Sequence, residues 1–292
     1  MISSAVPKVR IQYERYVPII LFIWGYSWFF PSIGLYYYVK FSVYPNLPSL
    51  LQFSLVIIDL RLIAIWIFTP IIIILFFFIR LMILILFSRW VIRFCNWRSP
   101  QTELVAAAGV NRAEVRALNY YHLRGLILRI LKWEVSKSIY PWLVPWAFAF
   151  VGANKIGKNS VLEDQFYTQE FLEMGENAYI GQGAIVSSHL VEGKYGAITL
   201  KKVKIGDHAV VGAFNAIPPG TELDPYTEFL PMSGVVKFRR VKGFGKYFGL
   251  PVGKISLKRY IRMLEIPDEL EPLVLQNKQR KKRYKEAKNT QK

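Results

Sequence analysis

Three different spacings of apolar residues follow one another along this chain. From Val17 to Val39, "VPIILFIWGYSWFFPSIGLYYYV" runs 23 residues without a charge. At about 1.5 Å per residue that is enough helix to cross about 30 Å of hydrocarbon. The run predicts a membrane span, kinked at Pro31 and flanked by interfacial aromatics at Trp24, Trp28 and Tyr36 to Tyr38. It is too long for a secretory leader, and no small-residue cleavage site follows it. A second apolar block, Leu55 to Phe87, is interrupted only by Asp59, Arg61 and Arg80, and its charge-free centre is Leu62 to Ile79. It predicts a second span over residues 60–80. Asp59 is expected to pair with Arg61, and Arg80 to anchor at the interface. Only Lys40 lies between the blocks, whereas Lys8, Arg10 and Arg15 precede them and Arg80, Arg89, Arg93 and Arg98 follow. That asymmetry predicts a hairpin in the cell membrane with both termini, and the rest of the chain, on the cytoplasmic side.

The second spacing is helical. After the polar "SPQTELVAAAGVNRAEVRALNYY", the segment "HLRGLILRILKW" sets Leu123, Leu126, Ile127, Ile130 and Leu131 beside Arg124, Arg129 and Lys132. Either a helix lying in the membrane interface or one packed on a soluble domain satisfies this pattern. His122 reads as a surface or capping residue. "YPWLVPWAF" cannot form a long regular helix, because Pro141 and Pro145 remove donors and restrict the residues before them.

The third spacing is six. Ile156, Leu162, Thr168, Met174, Ile180 and Val186 keep one frame, which resumes at Ile205, Val211 and Ile217; a glycine follows many of the apolar anchors. Neither 3.6 nor 2 produces this period; it predicts a parallel β-helix of three to four coils, each hexad one strand, with the anchors stacked inward. The glycines are expected to let the chain turn its corners. From Val186 to Ile205 is 19 residues, one too many for three hexads, so an excursion within "HLVEGKYGAITLKK" interrupts the coil. So short an array favours assembly with other chains.

Composition adjusts this picture in two places. Lys plus Arg outnumber Asp plus Glu by 38 to 20, giving +18, and Lys278 to Lys292 alone supply eight basic residues against one Glu. With a hydrophobic fraction of 53% concentrated near the N-terminus, that basicity points to anionic lipid; without a nucleic-acid fold signature, nucleic acid is not an expected partner. The single cysteine, Cys95, permits no disulfide within the chain and reads as apolar filler.

"IGKNSV", "MGENAY", "IGQGAI", "IGDHAV", "VGAFNA" and "IPPGTEL" resemble the left-handed β-helix of the hexapeptide-repeat acyltransferase superfamily. A histidine, an excursion and then "VKIGD…VG…IPPGTEL" is similar to its sugar and xenobiotic acetyltransferases. "DQFYTQEFLEMGENAYIGQGAIVSSHLVEG", with the preceding hairpin, looks like the membrane-embedded C-terminal domain of poly-ε-lysine-synthetase-type non-ribosomal peptide synthetases. That family joins three tandem β-helices to six spans, so a homotrimer of this chain would rebuild the architecture. The resemblance implies transfer of an acyl or aminoacyl group from a thioester donor, coenzyme A or a phosphopantetheine carrier, to an amine or hydroxyl. Within these residues there is no adenylation or carrier domain, so the donor is expected to come from a separate carrier or membrane-complex partner. The resemblance implies that His189 holds the position of the general base, in a groove between subunits. Glu192 is then a candidate to orient its ring, and Ser187, Ser188, His208 and Lys194 are candidates to bind substrate. Lys201, Lys202 and Lys204, also in the excursion, could meet phosphates. His208 takes the fourth place of its hexad, as His189 does, which suggests one shared face.

Two other readings remain open, a non-catalytic trimeric scaffold and a metal site like that of γ-class carbonic anhydrases. The expected fold is therefore membrane-anchored and mainly β. Residues 1–98 form a two-helix transmembrane hairpin with a basic juxtamembrane end, and 99–150 amphipathic, interfacial helices. Residues 151–230 form a short left-handed parallel β-helix, 231–275 a cap with a membrane-facing basic segment, and 276–292 a disordered basic tail.

Overall fold

The computed structural model describes residues 14, 16–52, 59–106, 111–163, 166–167, 170–192, 197–270 and 272. Lys8, Arg10, Arg15, Thr168, Lys194 and the basic tail lie outside the described residues. Helix α1 is Val17–Tyr38, with Pro31 inside it, and helical turns carry the chain on to Leu50. Helix α2, Leu60–Arg98, has 39 residues and is about 58 Å long. Both are long and apolar enough to cross a membrane. They run antiparallel, as Tyr38–Thr69, Trp28–Phe77 and Phe22–Phe87 contacts require. Gly34 sets their separation: a Cβ there would stand 2.5 Å from the Phe76 ring. Asp59 does not pair with the Arg61 side chain but caps α2, its carboxylate accepting the Arg61 N–H at 2.8 Å.

Helix α3, Arg112–Ser136, begins well before its apolar stripe because Asn111 and Glu114 close a capping box, with N–H to side-chain distances of 2.9 and 2.8 Å. Leu123, Ile127, Leu128 and Leu131 are buried in the main core, so most of α3 packs on protein. Arg80 is no interface anchor: it is 1% exposed, donates to Glu134 of α3, and lies over the Trp28 ring at 4.3 Å. "YPWLVPWAF" splits into a 3₁₀ turn, Pro141–Leu143, and helix α4, Val144–Val151, with each proline in a first turn where its missing N–H goes unneeded. Gly152, at φ 83°, ends α4.

From Lys155 the chain winds into a three-faced parallel β-helix. Ile156, Met174, Ile205, Leu223 and Val241 are in register on one face, and Leu162, Ile180, Val211, Phe229 and Tyr247 on the next. Tyr167, Val186 and Ile217 share the third. All of these with described burial are buried except Ile156, which is half-buried. Two expectations shift here. Tyr167, not Thr168, stands opposite Val186, so the frame slips by one residue in the third strand. The coil also continues through Val235, Val241 and Tyr247, giving five turns rather than three or four and ending near 248 instead of 230. Only then does the cap follow, a strand Gly253–Ile255 and helix α5, Leu257–Met263.

The glycines act between coils. A Cβ on Gly157 would lie 2.4 Å from the Gly175 backbone, and one on Gly175 would lie 2.6 Å from the Asp207 nitrogen. Corner strain sits two residues later, at Asn177, His208, Tyr226 and Phe244, all with positive φ. There His208, Tyr226 and Phe244 stack face to face with centroids 4.7 Å apart, which offsets the strained backbone with ring contact.

Candidate active site

Met174 and Ile205 are adjacent on one face although 31 residues apart, where Ile156 and Met174 are 18 apart, so the excursion adds 13 residues. It forms an antiparallel hairpin, His189–Glu192 with Ala197–Leu200, and Leu104–Ala106 adds a third strand. Side chains alternate along a strand and directly opposed residues share a face. His189 lies opposite Leu200 and Val191 opposite Ile198, so His189 faces the satellite core of Leu104, Leu118, Tyr121, Phe171, Ile198 and Leu200.

At the edge of that core three rings meet. The His189 ring centroid is 5.5 Å from that of His122, edge-on, and 5.6 Å from that of Tyr121. The Tyr121 hydroxyl and the fully buried Ser188 hydroxyl are hydrogen-bonded at 3.2 Å. Ser187 Oγ donates to the His189 carbonyl at 2.6 Å and accepts the His189 N–H at 3.2 Å, which pins the backbone where the excursion leaves the coil. One helical turn from Tyr121, the Arg124 Nε lies 2.9 Å from both Glu170 oxygens, and its Nη1 donates to the Ser99 carbonyl at 2.8 Å. The guanidinium therefore ties α3 to the coil and to the end of α2.

Burial sets the charge of this site. His122 is pushed down to about 4 by desolvation, with His189 and Arg129 adding repulsion, and desolvation also holds His189 below the usual imidazole range. Both rings are neutral near pH 7. Among the described residues His189 Nε2 is buried without a hydrogen-bond partner, a costly condition that calls for a reason. Because His122 takes a proton less readily when folded than when unfolded, its contribution is complete above pH 6.5 and is lost as pH falls toward 4. Discounted for the part of the ring left in solvent, that loss is about 1–2 kcal/mol. Unfolding by denaturant across this range should show the slope, and His122→Phe should flatten it. An unchanged slope would clear His122 of the effect.

Several expected site residues lie elsewhere. Glu192 is three residues beyond His189 on the same strand, hence on its other face, and accepts from Lys237 at 2.6 Å; it does not orient the imidazole. His208 is exposed on a corner and stacks on Tyr226, so it shares no face with His189. Lys202 and Lys204 pair with Glu173 and Glu222 at 3.1 and 2.8 Å, and Lys201 lies over the Phe238 ring at 5.3 Å. In the basic segment that forms the last turn of the coil, Arg240 pairs with Asp224 and Lys246 with Glu228, where burial lowers Lys246 to about 8. Among the described residues, no group of three or more metal-binding side chains occurs. Sequence reasoning missed His122, Tyr121, Arg124 and Glu170. The one available signal was "NRAE", whose capping box starts the helix early enough to bring Tyr121 and His122 into its middle.

No family model and no curated protein matches this chain. Part of it is similar to several solved structures. A maltose O-acetyltransferase from Clostridium difficile 630 shares 19% identity, covering 59% of this chain and 87% of that one, with a TM-score of 0.34. A hexapeptide-repeat acetyltransferase from Vibrio cholerae O1 biovar eltor, complexed with acetyl coenzyme A, shares 15% over 51% and 91%, with a TM-score of 0.39. A galactoside acetyltransferase in complex with coenzyme A shares 16% over 47% and 81%, with a TM-score of 0.37. The architecture of this chain rests on the register of its own strand pairs.

Proposed function

We propose that this protein is a membrane-held acyl- or aminoacyl-transferase, built as a left-handed β-helix on a transmembrane hairpin, with His189 as general base. One observation carries the reading: an imidazole at the root of the excursion, held neutral by burial, whose Nε2 has no hydrogen-bond partner among the described residues. With the proton on Nδ1, that nitrogen can take a proton from an amine or hydroxyl as it attacks a thioester, and the thiol leaves. The donor class is the one the sequence resemblance implies, coenzyme A or a phosphopantetheine carrier. Nε2 is buried and the His189 ring packs against Tyr121 and His122 of α3, so transfer requires the seam between α3 and the excursion to open. The same reading expects a homotrimer. Phe214, Met232 and Leu250 recur at 18-residue spacing, 62%, 73% and 78% exposed, an apolar column suited to a second copy.

The enclosure of Nε2 favours a second reading, a scaffold that organises membrane partners without chemistry. This chain in bilayers, given acyl-coenzyme A or carrier thioesters and a panel of amines and alcohols, separates the two. Thiol release that depends on the acceptor supports transfer. No release from coenzyme A or carrier thioesters, with a trimer present, establishes the scaffold.

A further inference from the structure

The turn between α3 and α4 carries large apolar side chains that face away from the protein. Trp133, Ile139, Trp142 and Trp146 are 62%, 54%, 68% and 45% exposed. Helix α4 is two-sided: Val144, Ala147, Phe148 and Val151 are buried at the start of the coil, while Trp146 and Ala149 point outward. The Trp24 indole N–H donates to Glu134 at 2.8 Å, whereas those of Trp133, Trp142 and Trp146 make no hydrogen bond among the described residues.

Tyr140 fixes the level of this turn against the hairpin. Its ring packs edge-on to Phe78 at 5.1 Å, and its hydroxyl donates to the Ile74 carbonyl at 3.4 Å, both in the apolar half of α2. A hydrocarbon layer about 30 Å thick takes about 20 helical residues. Counted from Arg61, at the polar end of α2, that layer closes near Leu81. Ile74 and Phe78 then lie about 5–10 Å inside the edge, the depth at which interfacial segments sit. Four of the turn's N–H groups are satisfied within it. Lys137 and Ser138 donate their N–H groups to the Trp133 and Val135 carbonyls, Tyr140 donates to Ser138 Oγ, Leu143 donates to the Tyr140 carbonyl, and Pro141 has no donor. Arg129 and Lys132 lie within about two turns of Glu134, toward the headgroups.

We propose that this turn is a third membrane contact, with Trp133, Ile139, Trp142 and Trp146 embedded at the headgroup–acyl boundary of the anionic leaflet where the hairpin ends. The proposal rests on α1 and α2 being spans. Because the inner face of α4 seals the coil, the contact holds the first coil at the bilayer.

Nitroxide labels test both layers of this argument in the full chain with Cys95→Ala, reconstituted in vesicles of equal parts phosphatidylcholine and phosphatidylglycerol. One label goes at Trp142→Cys, one at Ile73→Cys in mid-span, and one at exposed Lys254→Cys on the cap. Oxygen should relax the labels at 73 and 142 several-fold more than a water-soluble nickel chelate does, with the reverse at 254. Nickel access at 142 with oxygen access at 73 overturns the third contact and leaves the hairpin standing. Nickel access at both removes the spans and this proposal together. Shielding of 142 from both reagents means that protein covers the turn, which also overturns it. Trp146→Cys, on the same outer face, repeats the reading should Trp142→Cys not fold.

Discussion

Replacing Arg124 with methionine should lower stability by about 3–5 kcal/mol, the usual result of stripping a buried charge of its partner. The expectation follows from the site's geometry. Arg124 and Glu170 are 1% and 0% exposed, and the guanidinium spans both carboxylate oxygens at 2.9 Å. Burial already raises the Glu170 carboxyl above its ordinary range, with Arg124 pulling it back down. Without Arg124 the carboxylate loses that cationic partner, and it must either stay charged in an apolar setting or take up a proton. The Ser99 carbonyl loses its donor as well, at the end of α2 where a cation is most favourable. Denaturant unfolding in detergent, followed by circular dichroism, measures the loss. Removing both charges, as Arg124→Met with Glu170→Leu, should recover much of it, because an apolar pair of similar volume often matches a buried ion pair. A single-variant loss below about 1 kcal/mol would mean that water reaches Glu170 and that the pair is not buried as described.

The reach of sequence reasoning can be read from these same residues. Ile180, Val186, Ile205 and Val211 were legible as one interior column because their period belongs to no helix or flat strand, and each is buried. The last coil was legible in principle. Val235, Val241 and Tyr247 keep the frame from Phe229, but Lys237, Arg239 and Arg240 between them read as a basic surface segment. Those side chains point outward from the strands while the apolar ones point in, so charge and coil coexist. The slip to Tyr167 was not legible, since a neighbouring polar Thr168 also fits the six-residue count. Nor was the site. His122 and His189 are 67 positions apart, and no period or motif joins them; tertiary packing of α3 on the excursion does. Glu192 shows the opposite error, where nearness in sequence suggested a contact that strand alternation forbids.

On the proposed function, His189→Ala should cut transfer by about 10²–10⁴-fold, the range a positioned general base supplies, while circular dichroism and the mass of the particle in detergent stay unchanged. The ring is half-buried at the margin of the satellite core, so its loss should not empty the coil interior. The rate should also depend on pH in one direction. Burial holds the His189 imidazole below the usual range, so the base stays free at and above neutrality and is lost only on the acid side. Glu192→Gln is the matched control. Its carboxylate is on the opposite face and bound to Lys237, so the variant should change the rate by no more than a few-fold and leave the acid limb where it was. Unreduced transfer in His189→Ala would end its role as base. An acid limb that moves with Glu192→Gln would mean that the hairpin does not hold the two side chains on opposite faces during turnover.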